Sequence, residues 1–292
     1  MKKLPWNEEE ETLDMLFGGR LKIVQKKKGY RFSIDALLLA HFTEPALKDR
    51  ILDLGTGCGI IPLLLIFQQK AERVVGVEIQ PSLEDLARRN AALNHLSSRI
   101  EIWEEDLKAL KRESMEETFD AVLSNPPYRK VGSGRINPWP EKALARHEIK
   151  ATLRDILQAA HHLLRGKGRL NLIYPAARAA DLIQEMRKIH LEPKRLQFIH
   201  SHRNNEARLM LVETIKEGRP QIQVLPPLFL YDSANQYTPE AQELFQRFIA
   251  TPEGPNSLLP DHFPIKDKAR KPIYLQEKQK FRGSMREIPD ES

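Results

Sequence analysis

Ile51-Leu-Asp-Leu-Gly-Thr-Gly-Cys-Gly-Ile-Ile-Pro-Leu63 is the stretch that decides the fold. A short apolar strand runs into a turn with Gly55, Gly57 and Gly59, and an apolar helix follows, the opening unit of a parallel α/β sheet. Glycines in such a turn let backbone approach a ligand closely. The spacing is G-x-G-x-G, whereas a dinucleotide fingerprint would need its third glycine where Ile60 stands. Asp53, two residues before the first glycine, would repel a pyrophosphate and suits a ligand that carries a positive amine.

Outward from this turn, apolar runs alternate with amphipathic stretches. Strands are expected at Arg50 to Leu54, Arg73 to Glu78, Ile100 to Glu104, Asp120 to Ser124 and Gly168 to Tyr174. Helices are expected at Ile60 to Gln69, at Ser82 to Leu96 with Ser82 as N-cap, at Ala151 to Leu164 and around Ala176 to His190. Lys194 to His200 and Ala207 to Glu213 are joined by too few residues for a helical crossover and should pair antiparallel at the sheet edge. Before the first strand, Ser33 should cap a short helix whose first turn holds Asp35.

Three acids follow in order at successive strand ends: Asp53, then Glu78, placed to accept ribose hydroxyls, then Asp106, placed to accept from an adenine amino group. Each also has a plainer reading, as a cap or a loop acid. The fourth strand ends in Asn125-Pro126-Pro127-Tyr128, at the carboxyl edge where open α/β sheets bind ligands. Two prolines fix φ and donate no N–H, so the Asn125 side-chain oxygen and the Pro126 carbonyl can both accept from one planar amine. That draws the amine lone pair out of conjugation, which is catalysis by positioning and charge placement. Tyr128 offers a flat face for a base.

The Asp53 to Gly59 turn, Glu78 and Asp106 resemble the cofactor motifs of class I methyltransferases, and Asn125 to Tyr128 resembles the enzymes that methylate adenine N6, guanine N2 or a glutamine amide. Phe32-Ser-Ile-Asp-Ala-Leu-Leu-Leu-Ala40, Asn204-Asn-Glu-Ala-Arg-Leu-Met-Leu-Val212 and Tyr231-Asp-Ser-Ala-Asn-Gln-Tyr-Thr-Pro-Glu240 are similar to the bacterial tRNA1(Val) adenine-37 N6-methyltransferase family. The resemblance covers about Leu16 to Ala250. It implies a Rossmann-like α/β fold with a seven-stranded, mostly parallel sheet whose last strand is antiparallel. It also implies S-adenosyl-L-methionine as cofactor and an anticodon-loop adenine of tRNA as substrate. By the same resemblance Asp53, Gly55, Gly57, Gly59, Glu78 and Asp106 would hold the cofactor, Asp35 would lie beside its methionine end, and Asn125, Pro126, Pro127 and Tyr128 would hold the base. Ribosomal RNA, DNA and a protein glutamine are alternative substrates. A catalytically silent RNA-binding module and a nicotinamide-dependent oxidoreductase are the readings from other classes.

Basic residues support a polyanionic partner. Arg20 to Arg31 (RLKIVQKKKGYR) holds six basic residues and no acid, and reads as a hairpin turning at Lys26-Lys27-Lys28-Gly29. With Arg31, and with Lys130, Arg135 and Arg146 after the Asn125 turn, it would rim the crevice and attract RNA phosphates. Trp139 could stack on a neighbouring base or pack beneath the loop.

The 292 residues, with 41% hydrophobic and 29% charged, suffice for a full core and exclude wholesale disorder. Net charge is +6. The longest apolar run, Ile60 to Phe67, is far short of a membrane span, and the acidic Glu8 to Glu11 stands where a signal peptide would need an apolar core, so a cytoplasmic protein is expected. His147, His161 and His162 lack metal spacing, so no metal is expected, and the single cysteine, Cys58, reads as a packed residue. The domain reading is a hairpin and helix over 1–48, a catalytic domain over 49–250 and a basic, proline-containing tail over 251–292.

Overall fold

The computed structural model describes residues 6–110, 117–126 and 151–249. The chain opens with an antiparallel hairpin, β1 (Glu11–Leu16) and β2 (Leu21–Lys26), followed by α1 (Ile34–Phe42). Then come β3 (Ile51–Leu54), α2 (Ile60–Phe67), β4 (Val74–Glu78), α3 (Pro81–Leu93), β5 (Ile100–Glu104) and β6 (Phe119–Ser124). After the undescribed stretch 127–150 follow α4 (Leu153–Leu163), β7 (Leu164–Pro175), α5 (Ala179–Lys188), β8 (Leu191–His200) and β9 (Ala207–Lys216). Two-residue strands β10 (Gln223–Val224) and β11 (Leu228–Phe229) and helix α6 (Pro239–Ile249) complete the described chain.

The sheet runs β5-β4-β3-β6-β7-β9-β8, with β10 and β11 in tandem on the outer edge of β8. Strands β3 to β7 are parallel, and β9 runs antiparallel between β7 and β8. The expected seven strands with an antiparallel last member are therefore present, extended to nine by the two short strands. As expected, β8 and β9 pair antiparallel on one side of the sheet, with only the two-residue strands β10 and β11 outside β8.

Every residue of β3 is buried, and all seven residues from Ile60 to Ile66 in α2 are buried, as an all-apolar helix requires. Side chains alternate along a strand, so Leu52 and Leu54 share the core with Val122, Leu170, Leu172 and the α4 residues Ile156, Leu157 and Ala160, while Asp53 faces the opposite side. Helix α4 starts with a capping box, Thr152 Oγ1 accepting from Asp155 N while the Asp155 carboxylate accepts from Thr152 N.

Three local expectations are corrected. The hairpin turns at Phe17–Arg20, not at the lysines: Phe17, Gly18 and Gly19 have φ of 52, 64 and 84°, and the two glycines adopt this region without strain. Lys27 to Gly29 instead lead out of β2 toward α1. Helix α3 begins at Pro81 with Gln80 as its cap, rather than after Ser82, because proline's fixed φ suits the first helical position. Strand β7 starts at Leu164, earlier than its apolar run, because Phe119 already pairs with Leu164 across a register shift in β6.

Candidate active site

The parallel register sets the site. Leu54 lies opposite Val77 on one side and Ser124 on the other. The next residues, Gly55, Glu78 and Asn125, therefore leave three adjacent strands at one level, about 4.8 Å from strand to strand. Ser124 Oγ donates to Leu54 O at 2.9 Å, tying the ends of β6 and β3 together.

The glycine turn is held by the end of β4. Gly55 N and Thr56 N both donate to Val77 O at 2.9 Å. Gly57 N donates to Glu78 Oε2 at 3.0 Å, and Gln80 N donates to Glu78 Oε1 at 2.9 Å. Gly55, Gly57 and Gly59 have φ of 77, 59 and 79°. A Cβ at Gly55 would meet nothing within 4 Å, so the turn opens there onto free space. At Gly57 a Cβ would stand 2.7 Å from Tyr30 Cε1. Gly59 caps α2.

Asp53 is fully buried, and neither of its carboxylate oxygens has a hydrogen-bond partner. Burial pushes its carboxyl up to about 7, Glu78 adding to the shift and the nearby Thr56 hydroxyl opposing it without closing a hydrogen bond. Buried polar groups are normally satisfied, so an orphaned carboxylate beside an open glycine turn fits a cationic ligand. Burial likewise raises Glu78, against the amides that bond it. Asp106, half-buried just beyond β5, accepts from Lys108 N at 2.9 Å and so also shapes its own turn. Asp35 is half-buried in the first turn of α1, which Ser33 caps by position without a side-chain hydrogen bond.

Asn125 is half-buried and Pro126 buried at the end of β6. Pro127 and Tyr128 lie outside the described residues, as do Lys130, Arg135, Trp139, Arg146 and His147. Of the basic strap, Lys26 ends β2, while Lys27 and Lys28 are exposed. Lys27 Nζ reaches Glu8 O at 2.7 Å, and Arg31 binds Asp14 at 2.8 Å and Thr12 Oγ1 at 2.7 Å. Lys27 and Arg31, both assigned to RNA, therefore also brace the hairpin. Cys58 is buried, which pushes its thiol up to about 12 and makes it unreactive. Among the described residues no group of His, Cys, Asp or Glu forms a metal cluster, and no helix is long and apolar enough to cross a membrane.

Residues 33–190, more than half of the chain, match the methyltransferase small domain model. The tRNA1(Val) (adenine(37)-N6)-methyltransferase of Porphyromonas gingivalis ATCC 33277 is 32% identical over 244 residues, 80% of this chain and 93% of that protein. The chain belongs to the methyltransferase small-domain family, on its tRNA1(Val) (adenine(37)-N6)-methyltransferase branch. The protein of that name in Actinobacillus pleuropneumoniae AP76 is 26% identical over 77% of this chain and 93% of its own. Among solved structures, a predicted O-methyltransferase, Atu636 of Agrobacterium tumefaciens, superimposes with a TM-score of 0.59 at 26% identity, over 73% of this chain and 96% of that one.

A cavity of about 490 Å³ lined by Phe17, Arg20, Phe67, Asn94, Leu96 and Arg99 lies at the C-terminal ends of α2 and α3, on the amino edge of the sheet and away from the strand-end acids. Three residues of the site escaped the sequence reading. Thr56, whose buried Oγ1 has no partner, was hidden as an ordinary turn residue. Asn90 is fully buried on α3 and gives no signal in a single sequence, and Tyr30 was read only as part of a hairpin.

Proposed function

We propose that this protein transfers the methyl group of S-adenosylmethionine to the exocyclic N6 amine of adenine 37 in tRNA1(Val). The observation that carries the reading is Asn125, the first residue beyond β6, standing level with Gly55 and Glu78 at the carboxyl edge in a chain 32% identical to an enzyme of that name. When bound, S-adenosylmethionine supplies an electrophilic methyl on a sulfonium centre.

The residues divide the work. The Asp53 carboxylate, buried and without a partner, offers a counter-charge to the amine of the cofactor. Gly55 leaves room for the ligand against bare backbone. Glu78 accepts from the Gly57 and Gln80 amides, and its carboxylate would also suit ribose hydroxyls. Asp106 would accept from the adenine amine of the cofactor. Asn125 Oδ1 and the Pro126 carbonyl would accept hydrogen bonds from the two N–H groups of the target amine, concentrating its lone pair, so the reaction needs positioning and no strong base. Tyr128 stacks on the target base. A loop base is extruded into such a pocket at less cost than a paired one, and phosphates are gathered by Lys26, Lys28, Lys130, Arg135 and Arg146. A tRNA substrate places the reaction in the cytoplasm. The hairpin and α1 act with the sheet, and residues 251–292 serve as an added basic tail.

The test is methyl transfer from labelled S-adenosylmethionine to unmodified tRNA1(Val) transcript, the same transcript with guanosine in place of the target adenosine, ribosomal RNA, DNA and release factor, with nucleoside mass spectrometry. N6-methyladenosine at nucleotide 37, and none in the guanosine-substituted transcript, is the expected result. Label in another substrate class, with none in tRNA, overturns the reading.

A further inference from the structure

The space above Gly57 is filled by the protein itself. A Cβ at Gly57 would stand 2.7 Å from Tyr30 Cε1 and 3.1 Å from Cζ, so the phenol ring lies directly against the middle of the glycine turn. Burial holds the Tyr30 hydroxyl well above its ordinary range, and the acids Glu78, Asp53 and Asp35 push the same way. The ring thus lies against the turn residue whose amide Glu78 holds.

This placement is anchored at both ends of the strap. Upstream, Asn90 Oδ1 accepts from Val24 N at 2.8 Å, and its Nδ2 donates to Val24 O and Cys58 O, both at 3.0 Å. One buried amide therefore joins β2 to the glycine turn. Asn94, one helical turn on, accepts from Lys22 N at 2.8 Å and donates to Lys22 O at 2.6 Å. Downstream, Gln25 Oε1 accepts from Phe32 N at 3.0 Å, and Arg31 holds Asp14 and Thr12. Residues 26–32 are pinned to the hairpin on either side of Tyr30.

We propose that Tyr30 is a binding residue of the cofactor site, its ring forming a wall over the Gly55–Gly59 turn, so that the N-terminal hairpin is part of that site and not only an arm for RNA. The proposal rests on the reading of the turn as an S-adenosylmethionine site. The ring carbons Cε1 and Cζ stand nearest the Gly57 Cβ position, at 2.7 and 3.1 Å, with the hydroxyl oxygen farther at 3.3 Å, so the ring is expected to carry most of the effect.

The experiment is calorimetric titration of S-adenosylhomocysteine into full-length wild type, Tyr30→Phe, Tyr30→Leu and Tyr30→Ala, with tRNA affinity measured separately without cofactor. Tyr30→Phe is expected within about threefold of wild type, and Tyr30→Leu and Tyr30→Ala at least about tenfold weaker, the size of a lost aromatic contact, with tRNA affinity unchanged. Tyr30→Leu fills the space and guards against a simple loss of folding. Wild-type affinity in Tyr30→Leu, or tighter binding in Tyr30→Ala, overturns the assignment of Tyr30 alone. A wild-type protein that takes up no S-adenosylhomocysteine overturns the cofactor reading together with it.

Discussion

Glu78 Oε2 accepts the amide hydrogen of Gly57 at 3.0 Å, so the acid that ends β4 holds the turn that ends β3. The turn is thereby fixed before any ligand arrives, and such preorganisation lowers the cost of binding.

Gly55 and Gly57 should fail differently when replaced. Both have positive φ, which costs a side chain about 1–2 kcal/mol. Gly57→Ala adds a collision with Tyr30, whereas Gly55→Ala projects into open space. Gly57→Ala is expected to lower the melting temperature more. Gly55→Ala should weaken S-adenosylhomocysteine binding at least about tenfold for a loss of only a few degrees. Thermal melts and calorimetry measure both, and normal cofactor binding by Gly55→Ala would count against an open ligand space at that position.

Asp53 gives the ligand-free protein a pH signature. Its carboxyl is raised to about 7 from an ordinary 3.8, chiefly by burial. Between those values the folded state keeps a proton that the unfolded chain has lost, so stability is highest below pH 4 for this group and falls as pH rises to 7. The penalty at pH 8 is at most about 4 kcal/mol. Asp53→Asn should therefore melt higher than wild type at pH 8, with the difference vanishing near pH 4, while binding cofactor more weakly. Melts across that range decide it: a gap independent of pH would show that the acid is not destabilised by burial.

The strap lysines should act on RNA and not on cofactor. Lys26→Ala with Lys28→Ala is expected to weaken tRNA binding and reduce the slope of log affinity against log salt by up to about two, leaving S-adenosylhomocysteine affinity unchanged. Arg31→Ala should instead lower the melting temperature slightly, because its half-exposed pair with Asp14 braces the hairpin. Filter binding at several salt concentrations provides the check, and a double variant with the wild-type slope would remove these lysines from the interface.

The sheet from β3 to β6 was legible because buried parallel strands read as apolar runs and the turns between them carry Gly or Pro. Asp53, Glu78 and Asn125 were singled out by the same logic, and the register places them near the carboxyl ends of three adjacent strands. The hairpin was misplaced because three lysines and one glycine looked like a stronger turn than Phe17-Gly18-Gly19-Arg20. The role of Asn90 depends on a contact between residues 66 positions apart, which periodicity along one helix does not encode. Tyr30 was hidden for a related reason: its partner Gly57 is a residue without a side chain, and only the fold brings the two together.

In the proposed mechanism Asn125 grips the amine that receives the methyl group. The most direct measurement is the single-turnover rate of methyl transfer to tRNA by Asn125→Ala at saturating cofactor and RNA, with both dissociation constants determined for the same variant. The expected rate is at least about a hundredfold below wild type with both constants within about twofold, as for loss of a group that acts in the transition state. A rate within threefold of wild type would contradict it.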